Sequence, residues 1–596
     1  MQPTMEILAR IQSNSSNNKG EVFTLLYRYL LRPDMYFVAY QNLYANKGAA
    51  TKGINNDTAD GFSEAKIAAI IKALANGTYK PSPVRREYIN KENSKKKRPL
   101  GIPTFTDKLV QEILRMILEA VYEPIFLDCS HGFRPARSPH TALGRVSKGF
   151  NGIRWFVEGD IKGCFDNIDH NVMVGIINKK VKDAKLIQLI YKFLKAGYLE
   201  DWRYYNTYSG SPQGGIISPL LANIYLHELD QFVMRLKINF DRKSERIYTP
   251  EYSSLQHRIQ TLKKRISKAS GEQRQELIEK YKNLRAEMLK TPSKSQTDKK
   301  IKYIRYADDF LIGVNGDGED CLWIKSQLSE FIANTLKMEL SEEKTLITHS
   351  SKPARFLGYD ISVRRNNQIK RGGGCTKRTL SGKAELSVPF IDKINKFVIR
   401  KGIAVQLKDG TLWPVHRPYL LHMTELEIVS TFNAELRGIC NYYNKACNFY
   451  KLSYFAYLME YSCLKTLAAK RKSSISKVVK KHKDGQGKWA IPYSTKTRKK
   501  RRYFANYAEC KKTANPTDIK TNAERVYRYS VTTIESRLKA KVCELCGTTD
   551  SKHYEVHHVR KVKDLQGKEL WERAMIAKRR KTLVLCRWCH HSIHSG

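Results

Sequence analysis

The sequence predicts a multidomain α+β protein whose domains follow one another along the chain. At ~150 residues per domain, the length of 596 residues suggests about four domains. Apolar residues recur at helical spacing in residues 1–80 and again in residues 424–470, whereas short strand-like runs occur between residues 152 and 315. Paired cysteines and several histidines crowd the C-terminal end, which indicates a small module built around metal.

The charge composition indicates a polyanionic partner. Lys and Arg total 106 against 58 Asp and Glu, which gives a formal net charge of +48. Such an excess repels itself unless a polyanion neutralises it, and nucleic acid is that kind of partner. The 33 tyrosines are interleaved with the charge, where they are available to stack on bases. A solvated basic surface and affinity for anionic membranes are the alternatives.

The sequence carries no pattern that directs it to a membrane. No run approaches the ~20 apolar residues of a membrane span, and MQPTMEILAR lacks the charged-then-apolar order of a secretory signal. The cysteines show metal spacing and no disulfide framework. We therefore expect a cytoplasmic protein without a membrane partner.

The secondary structure changes along the chain in a definite order. Residues 1–80 are predicted to be mostly helical, because EVFTLLYRYLLR has apolar residues at helical spacing. IRWFVEGDI then predicts a buried strand, and LLANIYLHELDQFVMRL predicts an apolar helix. Two charged stretches within 250–290 predict an inserted helical hairpin. IKYIRYADDFLIGV predicts a β-hairpin with acidic residues between its strands.

A further helical region follows. Thr424 and Glu427 form a capping-box pattern, which predicts the start of a helix. The apolar face of that helix consists of Ile428, Phe432, Leu436 and Ile439. Residues 470–530 are strongly basic.

Adjacent carboxylates at the predicted hairpin tip, Asp308 and Asp309, indicate a metal site. Like charges at such a tip repel one another, and a divalent cation relieves the repulsion. Nucleotidyl transfer uses two Mg²⁺ ions ~4 Å apart, and Mg²⁺ prefers oxygen ligands. An acidic surface turn is the alternative for this pair alone. A third carboxylate, Asp160, closes an apolar strand, where an unpaired acid is costly.

Seven motifs in order resemble those of reverse transcriptases. They are GIPT at 101–104, HGFRP at 131–135, Asp160-x₄-Phe165, SPQGG at 211–215, YADD at 306–309, LSEEKT at 340–345 and FLGYD at 356–360. The resemblance implies a right-hand polymerase with fingers, palm and helical thumb. It also implies that Asp160, Asp308 and Asp309 hold Mg²⁺.

The same resemblance implies roles for four further residues. Phe165 would be the steric gate that selects deoxynucleotides, with an ordinary core position as the alternative. Gln213 would contact the incoming deoxynucleotide. Arg98 and Lys91 would hold its triphosphate, with a solvated basic loop as the alternative for both.

Two C-x-x-C pairs near the C-terminus predict a tetrahedral Zn²⁺ site with four thiolate ligands. These ligands are Cys543, Cys546, Cys586 and Cys589. Between and after the pairs, Glu555-Val556-His557-His558 and His590-x₃-His594 resemble the HNH, or ββα-metal, nucleases.

The HNH resemblance implies that His558 is the general base and that His557, His590 and His594 lie near a single divalent ion. The chain departs from the family name in one place, because Thr582 stands where the central Asn belongs. A zinc ribbon that only binds DNA is the alternative. The sequence leaves open which metal the nuclease takes and whether His557 or His558 is the base.

The order of the parts resembles that of bacterial group II intron-encoded proteins. The segment 436–470 is similar to the maturase thumb, and the N-terminal LYRYLLRPDMYFVAYQNLYANKGAATKG is similar to the extension before the fingers. The resemblance implies a ribonucleoprotein with the protein's own group II intron RNA, which the protein helps to splice. It further implies nicking of double-stranded target DNA, reverse transcription primed from the nick, and association with the nucleoid during that step.

The predicted domains follow from these motifs. They are an N-terminal extension and start of the fingers (1–80), fingers and palm (81–385) with a helical insertion (245–295), thumb or maturase region (386–485), basic DNA-binding segment (486–540) and HNH endonuclease (541–596). An RNA-binding splicing factor with an inactive polymerase and a homing endonuclease with a polymerase scaffold are the alternatives. The intact carboxylates and the complete motif series argue against both.

Overall fold

The computed structural model describes most of the chain. The described residues are 3–46, 48–90, 97–200, 203–207, 209–210, 214–243, 247–293, 298–366, 368–372, 375–378, 381–485, 487–495, 498–512 and 533–595. No helix within these ranges is long and apolar enough to cross a membrane.

Helices dominate residues 3–80, here called the N-terminal segment. Its elements are α1 (Thr4–Asn17), α2 (Pro33–Leu43), β1 (Phe62–Ser63) and α3 (Glu64–Ala75), with a 3₁₀ turn at Tyr27–Leu31. The helical reading of residues 1–80 is therefore confirmed for the described part. The segment packs on α4 of the central region, which is buried along most of its length.

The central region alternates strands and helices. Its elements are β2 (Val84–Asn90), β3 (Lys97–Ile102), α4 (Phe105–Tyr122), α5 (Pro139–Gly149), β4 (Trp155–Asp160), α6 (His170–Asn178), α7 (Ala184–Leu194), β5 (Tyr198–Glu200), β6 (Arg203–Tyr205), α8 (Ser218–Phe240), α9 (Pro250–Ile266), α10 (Gly271–Lys290), β7 (Lys300–Tyr306), β8 (Asp309–Asn315), α11 (Gly318–Asn334), β9 (Ile347–His349), β10 (Ala354–Phe356), β11 (Tyr359–Val363), β12 (Ile369–Gly372), β13 (Cys375–Arg378) and β14 (Ala384–Ser387).

A four-stranded antiparallel sheet, here called the aspartate sheet, lies at the middle of this region in the order β7-β8-β4-β9. Its strands form because they are rich in apolar and β-branched residues that pack on helices such as α8 and α11. Phe156 on β4 and Leu311 on β8 are fully buried. β7 and β8 form the hairpin predicted for IKYIRYADDFLIGV.

A second four-stranded sheet has the order β3-β2-β5-β6. Between α8 and β7, the two charged stretches form α9 and α10, which pack against each other as a helical hairpin. None of the residues of α10 is buried, so this hairpin stands mostly in solvent.

The next region is mainly helical, and its core is continuous with β10, β11 and β14, with α5 and with one face of the aspartate sheet. Its elements are α12 (Lys396–Arg400), β15 (Ala404–Gln406), β16 (Leu412–Pro414), α13 (Glu425–Tyr442), α14 (Leu452–Lys470), α15 (Ile475–His482), β17 (Ala490–Ser494), β18 (Lys499–Tyr503) and α16 (Glu509–Lys512). The capping box of Thr424 and Glu427 is present, and Ile428, Phe432 and Leu436 are fully buried, as the periodicity predicts.

The C-terminal module, residues 533–595, is a small ββα arrangement. Its elements are α17 (Thr533–Lys539), β19 (Tyr554–His558), α18 (Leu570–Lys578), β20 (Thr582–Cys586) and α19 (Arg587–Ser595). β19 pairs with β20 on one edge and with β1 of the N-terminal segment on the other. The module shares one hydrophobic core with the N-terminal segment, so the two ends of the chain meet.

Two candidate metal centres

The three predicted polymerase carboxylates converge at one end of the aspartate sheet. Asp160, the last residue of β4, pairs in register with Asp309, the first residue of β8. Asp308 occupies the turn between β7 and β8, beside them. The carboxyl groups of Asp160 and Asp309 lie within hydrogen-bonding reach of each other. The antiparallel register therefore brings together residues that are far apart in sequence.

The electrostatics of this site are those of a cation site. Burial, with the neighbouring charges of Asp308 and Asp160, raises the pKa of Asp309 to about 7. Burial, with the charge of Asp160, also raises the pKa of Asp308. Divalent cations relieve such crowding, so the donor set fits Mg²⁺, which binds through a few carboxylates and keeps several waters.

Lys344 reaches the same carboxylates. Its Nζ lies 2.5 Å from Oδ2 of Asp160, although the lysine side chain remains 67% exposed. Lys344 belongs to the LSEEKT motif, to whose members the sequence assigned no individual role.

A fully buried ion pair fixes the hairpin that carries Asp308. Arg305 on β7 binds Asp230 of α8 through two hydrogen bonds, of 2.6 and 2.7 Å, and both side chains are 0% exposed. The same guanidinium donates to the carbonyl of Ala307, at 2.9 Å. Ala307 has a φ of 57°. Arg305 thus holds the strained turn immediately before the two aspartates.

The HGFRP motif packs directly on this turn. A Cβ added at Gly132 would lie 2.3 Å from the backbone nitrogen of Ala307, a distance that no side chain tolerates. Asn223 of α8 donates to the carbonyl of Gly132, at 2.7 Å. The glycine is therefore required by the close approach of two backbones.

The other predicted polymerase residues are placed in part. Phe165 is half-buried, and its ring is nearly perpendicular to that of Phe133, at a centroid distance of 6.1 Å. Arg98 is exposed on β3, and its charge acts on Asp308. Lys91 and Gln213 lie outside the described residues.

The four predicted zinc ligands form a cluster. The Sγ atoms of Cys543, Cys546, Cys586 and Cys589 all lie within 4.8 Å of one another. The first pair belongs to the turn before β19, and the second pair connects β20 to α19. Four thiolates at this separation fit a tetrahedral structural Zn²⁺.

A second cluster contains three histidines and one carboxylate that the sequence did not indicate. Ligand atoms of His557, His590, His594 and Asp60 all lie within 4.8 Å of one another. Among the described residues, this cluster and the four cysteines are the two groups whose ligand atoms all lie within 4.8 Å of one another. The carboxylate oxygens of the three polymerase aspartates do not all lie within that distance of one another. Two Mg²⁺ ions ~4 Å apart allow that wider spread.

The histidine cluster has the character of a metal site. His557 is 4% exposed, and neither of its ring nitrogens makes a hydrogen bond to any described residue. Its Nδ1 lies 3.2 Å from Oδ1 of Asp60 without hydrogen-bond alignment. Nδ1 of His590 lies 2.6 Å from Oε2 of Glu555, the partner that orients a metal-binding imidazole. The nitrogens of His557 thus fit a cation.

His558 lies beside this cluster and outside it. Nε2 of His558 lies 3.0 Å from the carbonyl oxygen of Tyr44, and burial lowers its pKa. His558 pairs across the strands with Thr582, the residue that replaces the central Asn. Asp60, which accepts from the backbone amide of His558 at 2.6 Å, is a site residue that sequence reasoning missed.

Three family models match consecutive parts of the chain. A reverse transcriptase (RNA-dependent DNA polymerase) model matches residues 89–244 and 276–361. A type II intron maturase model matches 381–530, and an AI2M/AI1M-like, HNH endonuclease model matches 543–590. The protein is thus a multifunctional enzyme with a reverse transcriptase domain, a maturase region and an HNH endonuclease domain.

Curated relatives match all or nearly all of the chain. The group II intron-encoded protein LtrA of Lactococcus lactis subsp. cremoris is 63% identical over 596 residues, which is 100% of both chains. The uncharacterized 91 kDa protein in the cob intron of Schizosaccharomyces pombe is 35% identical, over 95% of this chain and 69% of its own. The putative COX1/OXI3 intron 2 protein of Saccharomyces cerevisiae is 32% identical, over 99% and 68%. The chain belongs to the family of group II intron-encoded proteins.

Proposed function

We propose that the protein binds its own intron RNA, assists its splicing, nicks double-stranded target DNA and copies the intron RNA from that nick. The convergence of Asp160, Asp308 and Asp309 at the end of the aspartate sheet carries the proposal, because it supplies the carboxylates of a polymerase site. The protein works in the bacterial cytoplasm and at the nucleoid when it engages target DNA.

In this proposal the three aspartates hold the polymerase metals. Bound Mg²⁺ ions would activate the 3′-hydroxyl of the primer and stabilise the leaving pyrophosphate. The aspartate sheet is the palm, and the sheet that contains β2 and β3 belongs to the fingers. Lys344 holds Asp160 in place until the cation enters, which its exposure permits.

The remaining polymerase residues select and hold the deoxynucleotide. Phe165 acts as the steric gate, since its half-buried ring is braced by Phe133 next to the motif that carries Asp160. Arg98 holds the triphosphate, which is supported by its exposure and by its electrostatic influence on Asp308. Gln213 and Lys91 assist in these two tasks.

The region that contains α13, α14 and α15 is proposed to be the thumb and to bind the RNA. Four tyrosines, at the start of α14 and along it, remain between 39% and 66% exposed; they are Tyr450, Tyr454, Tyr457 and Tyr461. Exposed aromatic rings stack on bases, and basic side chains neutralise phosphates. The charged hairpin of α9 and α10, which stands in solvent, offers a second surface for intron RNA.

The C-terminal module is proposed as the nuclease. Four cysteines hold structural Zn²⁺, and His557, His590 and His594 hold the catalytic cation, whose chemistry is to stabilise the leaving oxygen. His558 takes the proton of the attacking water. Two observations support this assignment: the ring nitrogens of His557 make no hydrogen bond within the described part of the chain, and the carboxylate of Glu555 contacts His590.

Particles reconstituted from the purified protein and its intron RNA test the proposal. The RNA is the one whose sequence encloses this reading frame. Splicing, strand nicking and DNA synthesis from the nick are measured separately on a duplex target. We expect labelled deoxynucleotides to enter a product joined to the nicked strand. A particle that splices but never extends the nick would refute target-primed synthesis.

A further inference from the structure

The N-terminal segment reaches the proposed nuclease centre through one carboxylate. Oδ2 of Asp60 lies 2.8 Å from Nε2 of His594 and 3.2 Å from Nε2 of His590. Oδ1 lies 3.2 Å from Nδ1 of His557. A single side chain, separated from the module by most of the chain, thus faces all three histidines that would hold the nuclease cation.

Backbone pairing fixes the position of this carboxylate. Phe62 pairs with Val556, and both side chains are fully buried. The amide of Gly61, the residue after Asp60, donates to the carbonyl of Val556, at 3.0 Å. β1 therefore extends the sheet of the nuclease module, so Asp60 is held there by main-chain bonds and not by its side chain alone.

A second contact from the same segment engages the proposed general base. Nε2 of His558 meets the carbonyl of Tyr44 at 3.0 Å. Because a carbonyl only accepts, Nε2 must carry the hydrogen, so Nδ1 is the nitrogen that is left to take a proton from water, and the segment fixes the tautomer of the base. This contact and the carboxylate of Asp60 are independent of each other, yet both engage catalytic groups of the nuclease.

We propose that the N-terminal segment is a latch that holds the nuclease inactive, with Asp60 as a displaceable fourth ligand of the nuclease cation. The inference rests on the proposed nuclease function. Catalytic metal sites keep one position open for water or substrate, whereas closed four-ligand sites are structural. A phosphate oxygen of duplex DNA is an anionic oxygen like that of the carboxylate. The two compete for one position, so DNA has to displace Asp60 before it is cut.

Two variants of the full-length protein separate the latch from general effects of charge. Asp60→Asn removes the carboxylate but keeps an oxygen that accepts from the amide of His558. Glu64→Gln removes one carboxylate from an exposed position at the start of α3 and serves as the matched control. The melting temperature of each variant checks that it is folded.

The first measurement is cation affinity. Co²⁺ alone is titrated into zinc-loaded protein, and its visible absorption reports coordination by nitrogen and oxygen. We expect the affinity to fall at least about tenfold in Asp60→Asn and to stay unchanged in Glu64→Gln. An unchanged affinity in Asp60→Asn overturns the proposal, since Asp60 would then be no ligand.

The second measurement is nicking of duplex DNA at saturating cation. We expect Asp60→Asn to nick at least about tenfold faster than the wild type, because the phosphate no longer competes with a carboxylate. Slower nicking overturns the latch and makes Asp60 a permanent ligand that catalysis needs. Hydrogen exchange at the amide of His558 in the wild type should accelerate when duplex DNA is added, and unchanged exchange counts against the latch.

The variant His590→Ala distinguishes failure of the latch from failure of the nuclease assignment. If His590→Ala stops nicking while Asp60→Asn nicks at the wild-type rate, the latch alone is wrong. If the His590→Ala variant still nicks DNA, the nuclease assignment is wrong. The latch proposal is then wrong too, because it rests on that assignment.

Discussion

Asp160 and Asp309 face each other across two neighbouring antiparallel strands, β4 and β8, in direct register. A shift of that register by one residue would turn one of the two side chains to the opposite face of the sheet. The apolar residues that follow Asp309 and precede Asp160 fill the core between the sheet and its helices. Packing of the sheet thus sets the geometry of the polymerase site.

Replacing Asp308 by Ala should stop DNA synthesis. The change removes one ligand from the metal pair, whose charge stabilisation is worth several kcal/mol, or roughly a thousandfold in rate. Primer extension on an RNA template measures the effect. Splicing should persist, because folding of RNA needs the protein surface and not this chemistry. Glu342→Gln, at an exposed carboxylate near Lys344, is the control and should extend normally. Near-normal extension by Asp308→Ala would falsify the metal assignment.

Replacing Asp230 by Ala should destabilise the central region by about 3–5 kcal/mol, because it leaves the guanidinium of Arg305 buried without its partner. Denaturant unfolding measures the loss. The exposed pair of Lys162 and Glu339, with its 3.2 Å separation, gives the control, and Glu339→Ala should cost less than about 1 kcal/mol.

A double variant tests what the buried pair does for the site. Arg305→Met with Asp230→Leu should recover much of the stability, since apolar replacement of a buried pair is often neutral. DNA synthesis should not recover, because the hydrogen bond from Arg305 to Ala307 is lost. Full polymerase activity in the double variant would show that the turn holds its shape without Arg305.

Nicking and polymerisation should respond to different substitutions. His558→Ala should abolish nicking, because the proton of the attacking water then has no acceptor. Cys586→Ser should unfold the C-terminal module, since structural zinc contributes directly to folding free energy. Primed extension and nicking are assayed on the same particles. Persistent nicking by His558→Ala would make His557 the next candidate for the base.

The C-terminal module shares a hydrophobic core with the N-terminal segment, so unfolding of the module can also affect that segment. Extension on an annealed primer should persist in His558→Ala. In Cys586→Ser it should persist only as far as the N-terminal segment stays folded without β19. Loss of extension in His558→Ala at an unchanged melting temperature would contradict separate active sites.

Binding of intron RNA should weaken steeply with salt. A protein that neutralises ~6 phosphates loses about a thousandfold in affinity between ~50 and ~200 mM salt. The slope of the logarithm of affinity against the logarithm of salt concentration reports the number of phosphates contacted. Replacing the exposed Lys264 and Arg265 of α9 by Gln should reduce this slope by the amount expected for about two phosphate contacts. Lys280, which lies 4.0 Å from Glu276, is the control and should matter less. A flat salt dependence would contradict an electrostatic RNA surface.

The sequence predicted those site residues that are recognisable from residue type and short spacing along the chain. Asp308 and Asp309 are adjacent, and the four cysteines come as two pairs with zinc spacing. The capping box of α13 is likewise a contact within four residues. These features need only short-range geometry, which residue type and spacing determine.

The remaining site contacts join elements that are remote in sequence. Arg305 and Asp230 are 75 positions apart, and Lys344 is 184 positions from Asp160. Both pairs consist of residue types that occur throughout the chain. Only the packing of α8 on β7, and of the LSEEKT turn on β4, selects the partner.

By itself the sequence determined the family and predicted the three candidate polymerase carboxylates and the two candidate sets of C-terminal metal ligands. Only the tertiary structure decided that β1 joins β19 and that Asp60 enters the histidine cluster. The physical reason is that strand pairing uses backbone N–H and C=O groups, which nearly every residue carries. A two-residue strand therefore leaves no pattern in the sequence, although it brings the N-terminal segment to the nuclease centre.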